Sequence, residues 1–168
     1  MIEVKAPNEA PKRARGSVSI FLAGSIEQDT AEQWHKKLCG ELSDIEDLVI
    51  YNPRRDRWDS SLAQEKENPQ FNEQVTWELN KLDSSDVIAL YFDPNTKSPI
   101  TLLELGLYVT HPGLIVLCPE GYWRKGNVDI VCERHGVVQA TCWEDFVNKI
   151  RDEIDKAERD RLLGAMDW

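Results

Sequence analysis

The chain has few basic residues for its acidic content, and this shortage excludes one large class of function. Twenty Lys and Arg stand against thirty Asp and Glu, so the formal net charge is −10 and the sequence pI is about 4.8. Proteins that coat DNA or RNA neutralise phosphates with a basic surface. The composition therefore argues against a nucleic-acid polymer as partner, but one local site could hold a small phosphorylated ligand.

Long apolar segments are also missing. The longest stretch without a formal charge covers residues 105–119, and two glycines, a histidine and a proline interrupt it. This stretch is too short and too broken to cross a bilayer. Residues 1–16 carry four basic side chains, and no apolar segment follows them. We therefore expect no membrane-spanning helix, no membrane partner and no signal peptide.

The four cysteines form no Cys-x-x-Cys pair, and the three histidines are scattered along the chain. Neither pattern has the spacing of a zinc site, so no metal is predicted. Reduced thiols fit these cysteines better than a disulfide framework, which indicates a cytoplasmic protein. Nothing in the sequence requires a redox or other cofactor.

The length and composition fit one ordinary domain. The chain has 168 residues, of which 41% are hydrophobic and 30% charged, so it can form a packed core. Residues 1–16 combine charges and prolines without periodicity, and we predict a mobile N-terminal arm there. Residues 17–168 are predicted to form a single domain.

Strand and helix patterns alternate along that domain. Short apolar runs predict strands at Val18–Leu22, Leu48–Tyr51, Val87–Phe92 and Leu114–Leu117. Two capping-box patterns, Thr30 with Gln33 and Thr141 with Glu144, predict helices ending near Leu42 and Asp160. Further helices are predicted over Gln70–Leu82 and from Ser98 or Pro99 to about Val109.

Continuous apolar strands that alternate with helices are typical of a parallel sheet covered on both faces. We therefore predict a doubly wound, flavodoxin-like α/β fold with four or five parallel strands. Ligands of such sheets bind beyond the carboxyl ends of the strands. The segments expected there are Gly24-Ser25, Asn52 to Trp58, Asp93 to Ser98, and Pro119 to Asn127.

Glu104 is a carboxylate in an unusual place. It is the only charged residue in the apolar helix predicted from Ser98, about a turn and a half from the start. An isolated buried carboxylate costs several kcal/mol unless it is paired, protonated or open to a cavity. The alternative is that an Arg from another loop pairs with it.

Glu78 is the second such carboxylate. Phe71, Val75 and Leu82 share one face of the predicted helix, and at about 100° per residue Glu78 falls on that same face. The alternative is that the apolar stripe is centred nearer Leu79 and leaves Glu78 at its margin. Two partly buried carboxylates at one sheet edge suggest glycosyl chemistry, in which one attacks the anomeric carbon and the other handles a proton.

Three ordered segments then carry a family resemblance. They are Phe21-Leu22-Ala23-Gly24-Ser25-Ile26, Asp83-Ser84-Ser85-Asp86-Val87-Ile88-Ala89, and Ser98 through Glu104-Leu105-Gly106. In order and spacing, from about Val18 to Leu117, the chain resembles the nucleoside 2-deoxyribosyltransferase family, which includes related nucleoside 5′-monophosphate N-glycosidases.

The resemblance implies roles for individual residues. The family's nucleophilic Glu matches Glu104, which would attack C1′ of the sugar and hold a glycosyl ester. Its base-contacting acid matches Glu78, where Glu replaces the usual Asp. The Gly24-Ser25 turn would line the same pocket. The resemblance also implies a homo-oligomer whose sites a neighbouring subunit completes, and the last helix with residues 165–168 could serve there.

Position 98 separates two branches of the family. Members that act on free nucleosides usually carry Asp there, whereas the Ser98 of this chain resembles the monophosphate glycosidases, where a hydroxyl and helix amides hold phosphate. Pro99 and Ile100 replace small residues in that turn. Pro99 lacks an amide N–H, and both side chains crowd the approach of a phosphate.

Other loop residues complete the candidate site. Arg54 and Arg55 could bind phosphate bidentately, or could neutralise Asp56, Asp59 or Glu78. Trp58 and Trp123 could stack on a base, or could pack on the domain or a second subunit. The candidate substrate-binding residues are Gly24, Ser25, Asn52, Arg54, Asp56, Trp58, Asp93 and Ser98, and the candidate catalytic residues are Glu104 and Glu78.

The sequence thus predicts an enzyme that transfers a deoxyribosyl group from a small-molecule nucleoside to another base. One alternative is a hydrolase acting on nucleoside 5′-monophosphates. Another is a nucleotide-binding module without turnover, and a third is a structural domain whose tryptophans form interfaces.

Overall fold

The computed structural model describes residues 1–11, 17–26, 33–55 and 63–164. Along these residues the six strands are β1 (Ile2–Lys5), β2 (Ser19–Gly24), β3 (Val49–Asn52), β4 (Val87–Tyr91), β5 (Leu114–Leu117) and β6 (Val138–Ala140). The five helices are α1 (Trp34–Glu41), α2 (Pro69–Ser84), α3 (Pro99–Tyr108), α4 (Lys125–His135) and α5 (Trp143–Gly164).

All six strands are parallel and lie in the order β1-β3-β2-β4-β5-β6. The four inner strands are buried along their whole length, as their continuous apolar sequences require. One core packs α1 and α5 on one face of the sheet, through side chains such as Trp34 and Phe146. A second core packs α2, α3 and α4 on the other face, through Trp77, Leu105 and Val128. The predicted doubly wound, flavodoxin-like fold class is confirmed.

The N-terminal segment differs from its prediction. Residues 2–5 were expected in a mobile arm, but they form the edge strand β1, in which Ile2 pairs with Val49 and Lys5 with Asn52. Only Val4 of this strand is buried, so its own sequence carries little strand signal and pairing with β3 stabilises it. Residues 12–16 of the predicted arm lie outside the described residues.

Two elements near the other sheet edge were also not predicted. Helix α4 begins at Lys125, inside the segment assigned to the loop Pro119 to Asn127, and β6 is only three residues long. Together they add a further parallel strand beside β5. A three-residue strand gives almost no periodic signal, which is why the sequence patterns missed β6. In α4 only Val128 and Cys132 are buried, so its apolar face is narrow.

The helix caps match the predictions in part. The predicted capping box at Thr141 is replaced by a bond network to Asp145, whose Oδ2 accepts from the Thr141 amide at 2.8 Å and from its hydroxyl at 3.2 Å. Thr30 lies outside the described residues, and α1 begins at Trp34. Within the described ranges, no helix is both long enough and apolar enough to cross a membrane.

Strand order reverses at β2, whose neighbours β3 and β4 are reached by crossovers on opposite faces of the sheet. The loops leaving β2 and β4 therefore diverge and open a crevice at the carboxyl edge. Gly24 ends β2 at that point with φ of +149°. A Cβ there would lie 2.4 Å from the carbonyl oxygen of Tyr91 and 2.8 Å from the ring of Trp34. The backbones meet here because residue 24 has no side chain.

We expect Gly24→Ala to lower the free energy of unfolding by about 2–4 kcal/mol, because a backbone carbonyl and a buried ring must both move. Urea denaturation followed by circular dichroism measures this loss. Gly40→Ala in α1 is the matched control, since a Cβ there meets nothing within 4 Å. The control should leave stability unchanged or raise it by up to about 1 kcal/mol. Equal stabilities of the two variants would contradict the close approach at Gly24.

Candidate active site

A cluster of buried hydroxyls joins the loops that follow β2 and β4. The Ser25 amide donates to the Tyr91 carbonyl at 3.1 Å, which continues the sheet by one bond. The Ser25 hydroxyl accepts from the Asp93 amide at 2.9 Å and from the Thr96 hydroxyl at 2.9 Å, and it shares a short hydrogen bond with the Ser98 hydroxyl. Thr96 and Ser98 are also joined, at 2.6 Å. These hydrogen bonds join the two loops at the crevice.

This cluster fixes the start of α3. Ser98 precedes the helix in the left-handed conformation, with φ of 44° and ψ of 56°, and Pro99 occupies the first helical turn. A non-glycine residue in this region costs of order 1 kcal/mol, which the surrounding bonds must offset. The helix direction set here carries Glu104 into the interior beside the crevice.

Glu104 is buried, with 9% of its surface exposed. Among the described residues, no Lys or Arg forms an ion pair with it. The alternative of an Arg partner therefore finds no support in the described part of the chain. Burial first, and then the charge of Glu78, raise the pKa of Glu104 to about 8.

Glu78 lies on α2 and is half-buried. Gln74, one turn earlier, donates to its Oε1 at 2.7 Å and to the Pro53 carbonyl at 2.9 Å. Arg55 donates through Nε to Gln74 Oε1 and through Nη2 to Glu73 at 2.9 Å. Burial raises the pKa of Glu78, whereas the Gln74 hydrogen bond and the Arg55 charge oppose that rise.

The two carboxyl groups are thus electrostatically coupled but unequally supported. Glu78 has a hydrogen-bond donor and a nearby guanidinium that favour its ionised form. Burial and the negative charge of Glu78 both raise the pKa of Glu104, and neither favours its ionised form. Both pKa values are raised, but only that of Glu78 is opposed by a hydrogen bond and a positive charge, so of the two carboxyl groups Glu104 holds a proton more readily. Acid and base catalysis uses pairs of titratable groups whose surroundings separate their pKa values, as the surroundings of these two carboxyl groups do.

The buried face of α2 differs from its prediction. Phe71 and Val75 are half-buried, and the fully buried positions are Gln74, Trp77 and Leu82. Leu79 is exposed, so the stripe is not centred on that residue. The face is rotated toward Gln74, and Glu78 borders it.

Two further predicted site residues, Asn52 and Asp93, form hydrogen bonds with neighbouring groups. Asn52 donates to Glu3 at 2.7 Å and accepts from the Arg54 amide at 3.0 Å. Asp93 accepts from the Asn95 amide at 2.8 Å and its side chain at 3.1 Å, and it thereby caps its own turn. Asp56 and Trp58 lie outside the described residues.

Trp123 is half-exposed at the same edge. Its indole N–H donates to the Lys97 carbonyl at 3.0 Å, and the Arg124 guanidinium lies 4.3 Å from its ring centre. The ring is thus held beside the loop that leads to Ser98.

Sequence reasoning missed two residues that organise the site. Gln74 links Glu78 to Arg55 and to the backbone at Pro53. Thr96 links Ser25 to Ser98. Gln74 stands four residues before Glu78, and an amide at that spacing on a helix was an available signal. The described ranges contain no group of three His, Cys, Asp or Glu side chains that could hold a metal ion.

Comparisons with known proteins give a matching family model and a similar solved structure. A family model described as "Nucleoside 2-deoxyribosyltransferase like" matches residues 17–122, which include both carboxylates and the hydroxyl cluster. No curated protein sequence matches the chain. The crystal structure of a conserved protein from Enterococcus faecalis V583 is similar, with a TM-score of 0.60 and 12% identity, over 81% of this chain and 98% of that one. At such identity the likeness shows the fold alone.

We expect Glu104→Gln to stabilise the protein most at high pH. The folded pKa of Glu104, about 8, lies above its ordinary value of 4.5, so the folded state binds more protons between these values. Stability of the unmodified protein is therefore lost as pH rises through that window and levels off above it. Gln removes the charge, and the gain should be about 1–4 kcal/mol at pH 9 and smaller at pH 5.

Urea denaturation at pH 5 and pH 9 measures this gain. Glu158→Gln, an exposed change of the same kind on α5, is the control and should gain little at either pH. If Glu104→Gln and the unmodified protein had the same pH dependence, Glu104 would not be the buried, protonated member of the pair.

Proposed function

The chain belongs to the nucleoside 2-deoxyribosyltransferase-like family, and from this premise we propose that it cleaves the N-glycosidic bond of a (2′-deoxy)nucleoside. The deoxyribosyl group would then pass to another base. The observation that carries the proposal is Glu104, a buried carboxyl group without a cationic partner among the described residues, coupled to Glu78 at the carboxyl edge of the sheet. No metal or cofactor enters the proposed reaction.

Glu104 is the proposed nucleophile. Its ionised oxygen attacks C1′ of the sugar, the C1′–N bond breaks, and its electron pair leaves with the base. The products are a glycosyl ester on Glu104 and a free base. A nitrogen of the second base then attacks C1′, and Glu104 leaves again as a carboxylate.

Proton transfer between the two carboxyl groups has a role in this reaction. Glu104 must be ionised before it can attack, and we propose that Glu78, whose ionised form Gln74 and Arg55 favour, accepts its proton. Protonated Glu78 then donates to the departing base, whose nitrogen gains a proton as the bond breaks. In the second half-reaction, Glu78 takes the proton that the incoming base releases. The hydrogen bond from Gln74 orients Glu78 for both steps.

A hydrolase acting on nucleoside 5′-monophosphates is the second candidate. It would use the same ester, which water would cleave in place of a base. In this chain the Ser98 hydroxyl already bonds to Ser25 and Thr96, and Pro99 has no amide N–H to offer. A phosphate at the start of α3 would therefore have to displace bonds within the cluster. The nucleotide-binding module without turnover corresponds to a Glu104 that stays protonated when ligand is bound.

We expect Glu104→Gln to abolish turnover, with a loss of at least about 10⁴-fold, because no covalent ester can form. Glu78→Gln should lose about 10²–10⁴-fold, the range of one general acid–base group. Chromatography of bases and nucleosides after incubation with deoxynucleosides or their 5′-monophosphates, with and without a second base, measures both. Intact-protein mass spectrometry should detect the glycosyl adduct in the unmodified protein and not in Glu104→Gln.

Glu158→Gln is the matched control and should keep full activity. Full activity in Glu104→Gln would overturn the proposed nucleophile. A new nucleoside formed only with the second base indicates transfer, whereas base released without it indicates hydrolysis. A ligand that binds and returns uncleaved would support the binding module.

We also propose that the protein is a homo-oligomer that associates through α3. Ile100, Leu103 and Leu107 recur at helical spacing on the helix that carries Glu104, and each is more than half exposed. Glu104 is the only charged residue of α3, so this surface is uncharged. Two copies of a chain with net charge −10 repel one another, and an uncharged apolar face is where that repulsion is weakest.

Light scattering coupled to size-exclusion chromatography tests this association. Leu103→Glu should convert the oligomer to monomer, because each contact would then bury an unpaired charge. Leu162→Glu, at an exposed apolar position on α5, should leave the assembly unchanged. A monomeric unmodified protein, or a Leu103→Glu variant that still assembles, would contradict the proposal.

A further inference from the structure

A cavity lies at the edge of the sheet where β1 pairs with β3. Its volume is about 400 Å³. Among the described residues, its ionisable lining is mainly basic, with the carboxylate of Glu3 against Lys5, Lys36, Arg54 and Arg55. In a chain of net charge −10, this is a local reversal of sign.

Two polar groups at this cavity have no partner among the described residues. His35 lines it with 1% of its surface exposed, and neither of its ring nitrogens forms a hydrogen bond. One guanidinium nitrogen of Arg54, Nη1, is likewise buried without a bond. Buried donors and acceptors are almost always paired in folded proteins. A histidine and an arginine left open at one cavity therefore point to a ligand that completes them.

Among the described residues, no other group at the cavity forms a hydrogen bond with the His35 ring nitrogens or with Arg54 Nη1. The Glu3 carboxylate accepts from the Asn52 side chain at 2.7 Å and from the Cys39 thiol at 3.8 Å. Among the described residues, Arg54 forms no ion pair. Within that part of the chain, no carboxylate neutralises its charge.

The protonation state of His35 limits the kinds of ligand that could bind in the cavity. Burial, and then the charge of Arg54, lower the pKa of His35 to about 3, so the imidazole is neutral at physiological pH. A neutral imidazole offers one N–H donor and one nitrogen acceptor. Beside a guanidinium, this combination suits an oxyanion that also carries a hydroxyl, as a singly protonated phosphate does.

We propose that this cavity binds the phosphate group of a small ligand, held by Arg54 and His35 with Lys36 at the cavity mouth. The assignment rests on the open polar groups and the basic lining, and it does not require the proposed glycosyl chemistry. It also places phosphate away from the start of α3, where Ser98 is bonded within its own cluster.

The Arg55 side chain connects the cavity to the carboxyl pair. Arg55 lines the cavity and donates to Gln74, which donates to Glu78. Two sources of phosphate are compatible with this arrangement. One is the phosphate of a nucleotide whose sugar lies near Glu104, and the other is a free phosphate ion.

Titration with inorganic phosphate tests the site directly. The Trp34 ring lies 3.9 Å from the His35 ring, so tryptophan fluorescence and the ¹⁵N shifts of His35 should both report occupancy. We expect saturable binding to the unmodified protein. Arg54→Gln should weaken it about 10- to 100-fold, as expected for the loss of a charge-assisted hydrogen bond. Arg54→Lys should retain part of the affinity.

Lys156→Gln, which removes one exposed positive charge from α5, is the matched control and should bind phosphate normally. Thermal unfolding checks that each variant is folded. Should Arg54→Gln fail to fold, Lys36→Gln carries the test, because the Lys36 side chain is exposed and lines the same cavity. Absence of saturable binding, or equal binding by the cavity variants and the unmodified protein, would overturn the proposal.

A second set of titrations identifies the source of phosphate. If a deoxynucleoside 5′-monophosphate binds more tightly than its nucleoside, and Arg54→Gln removes the difference, the cavity holds the nucleotide's own phosphate. If inorganic phosphate binds without changing nucleotide affinity, the cavity holds a free ion. Both results support the phosphate site, and neither depends on whether Glu104 turns over a substrate.

Discussion

The hydrogen bonds of the Ser25 hydroxyl determine where the chemistry of this protein can occur. That one oxygen ties the loop after β2 to the loop after β4, through the Asp93 amide and the hydroxyls of Thr96 and Ser98. These bonds help to offset the cost of the left-handed conformation of Ser98, the residue that precedes α3. The position of Glu104 follows from the start of α3. Gly24 is part of the same constraint, because only a residue without a Cβ lets the two strands end this close together.

Burying Glu104 opposes folding, and the two hydrophobic cores must offset it. Raising the pKa of Glu104 reduces that cost, because a protonated acid is cheaper to bury than a charge. The Gln74 hydrogen bond and the Arg55 charge oppose the same rise at Glu78 and favour its ionised form. Two coupled carboxyl groups with unequal surroundings, one of them buried without a cationic partner among the described residues, form the kind of unfavourable arrangement that catalytic sites retain.

Much of this arrangement could be predicted from sequence, for reasons that concern particular residues. Buried parallel strands are continuous apolar runs, so β2 to β5 and the fold class were evident, and Glu104 was conspicuous as the one charge in an apolar helix. The strand β1 was missed because only Val4 is buried and its partner β3 is more than forty residues away. Gln74 was missed because helical periodicity locates apolar faces, and an amide within such a face breaks the pattern that would reveal it. The ring nitrogens of His35 lack hydrogen-bond partners among the described residues, in a cavity that three separate segments of the chain form. No local sequence pattern predicts such a cavity.

Among the described residues, Arg55 lines the basic cavity and also donates to Gln74, the hydrogen-bond partner of Glu78. The Arg55 charge opposes the rise in the pKa of Glu78, and an anion bound in the cavity would offset part of that charge. The pKa of Glu78 would then rise further, so Glu78 would accept a proton more readily, as the proposed reaction requires before a base can leave. Arg55 thereby links the proposed phosphate site to the proposed general acid.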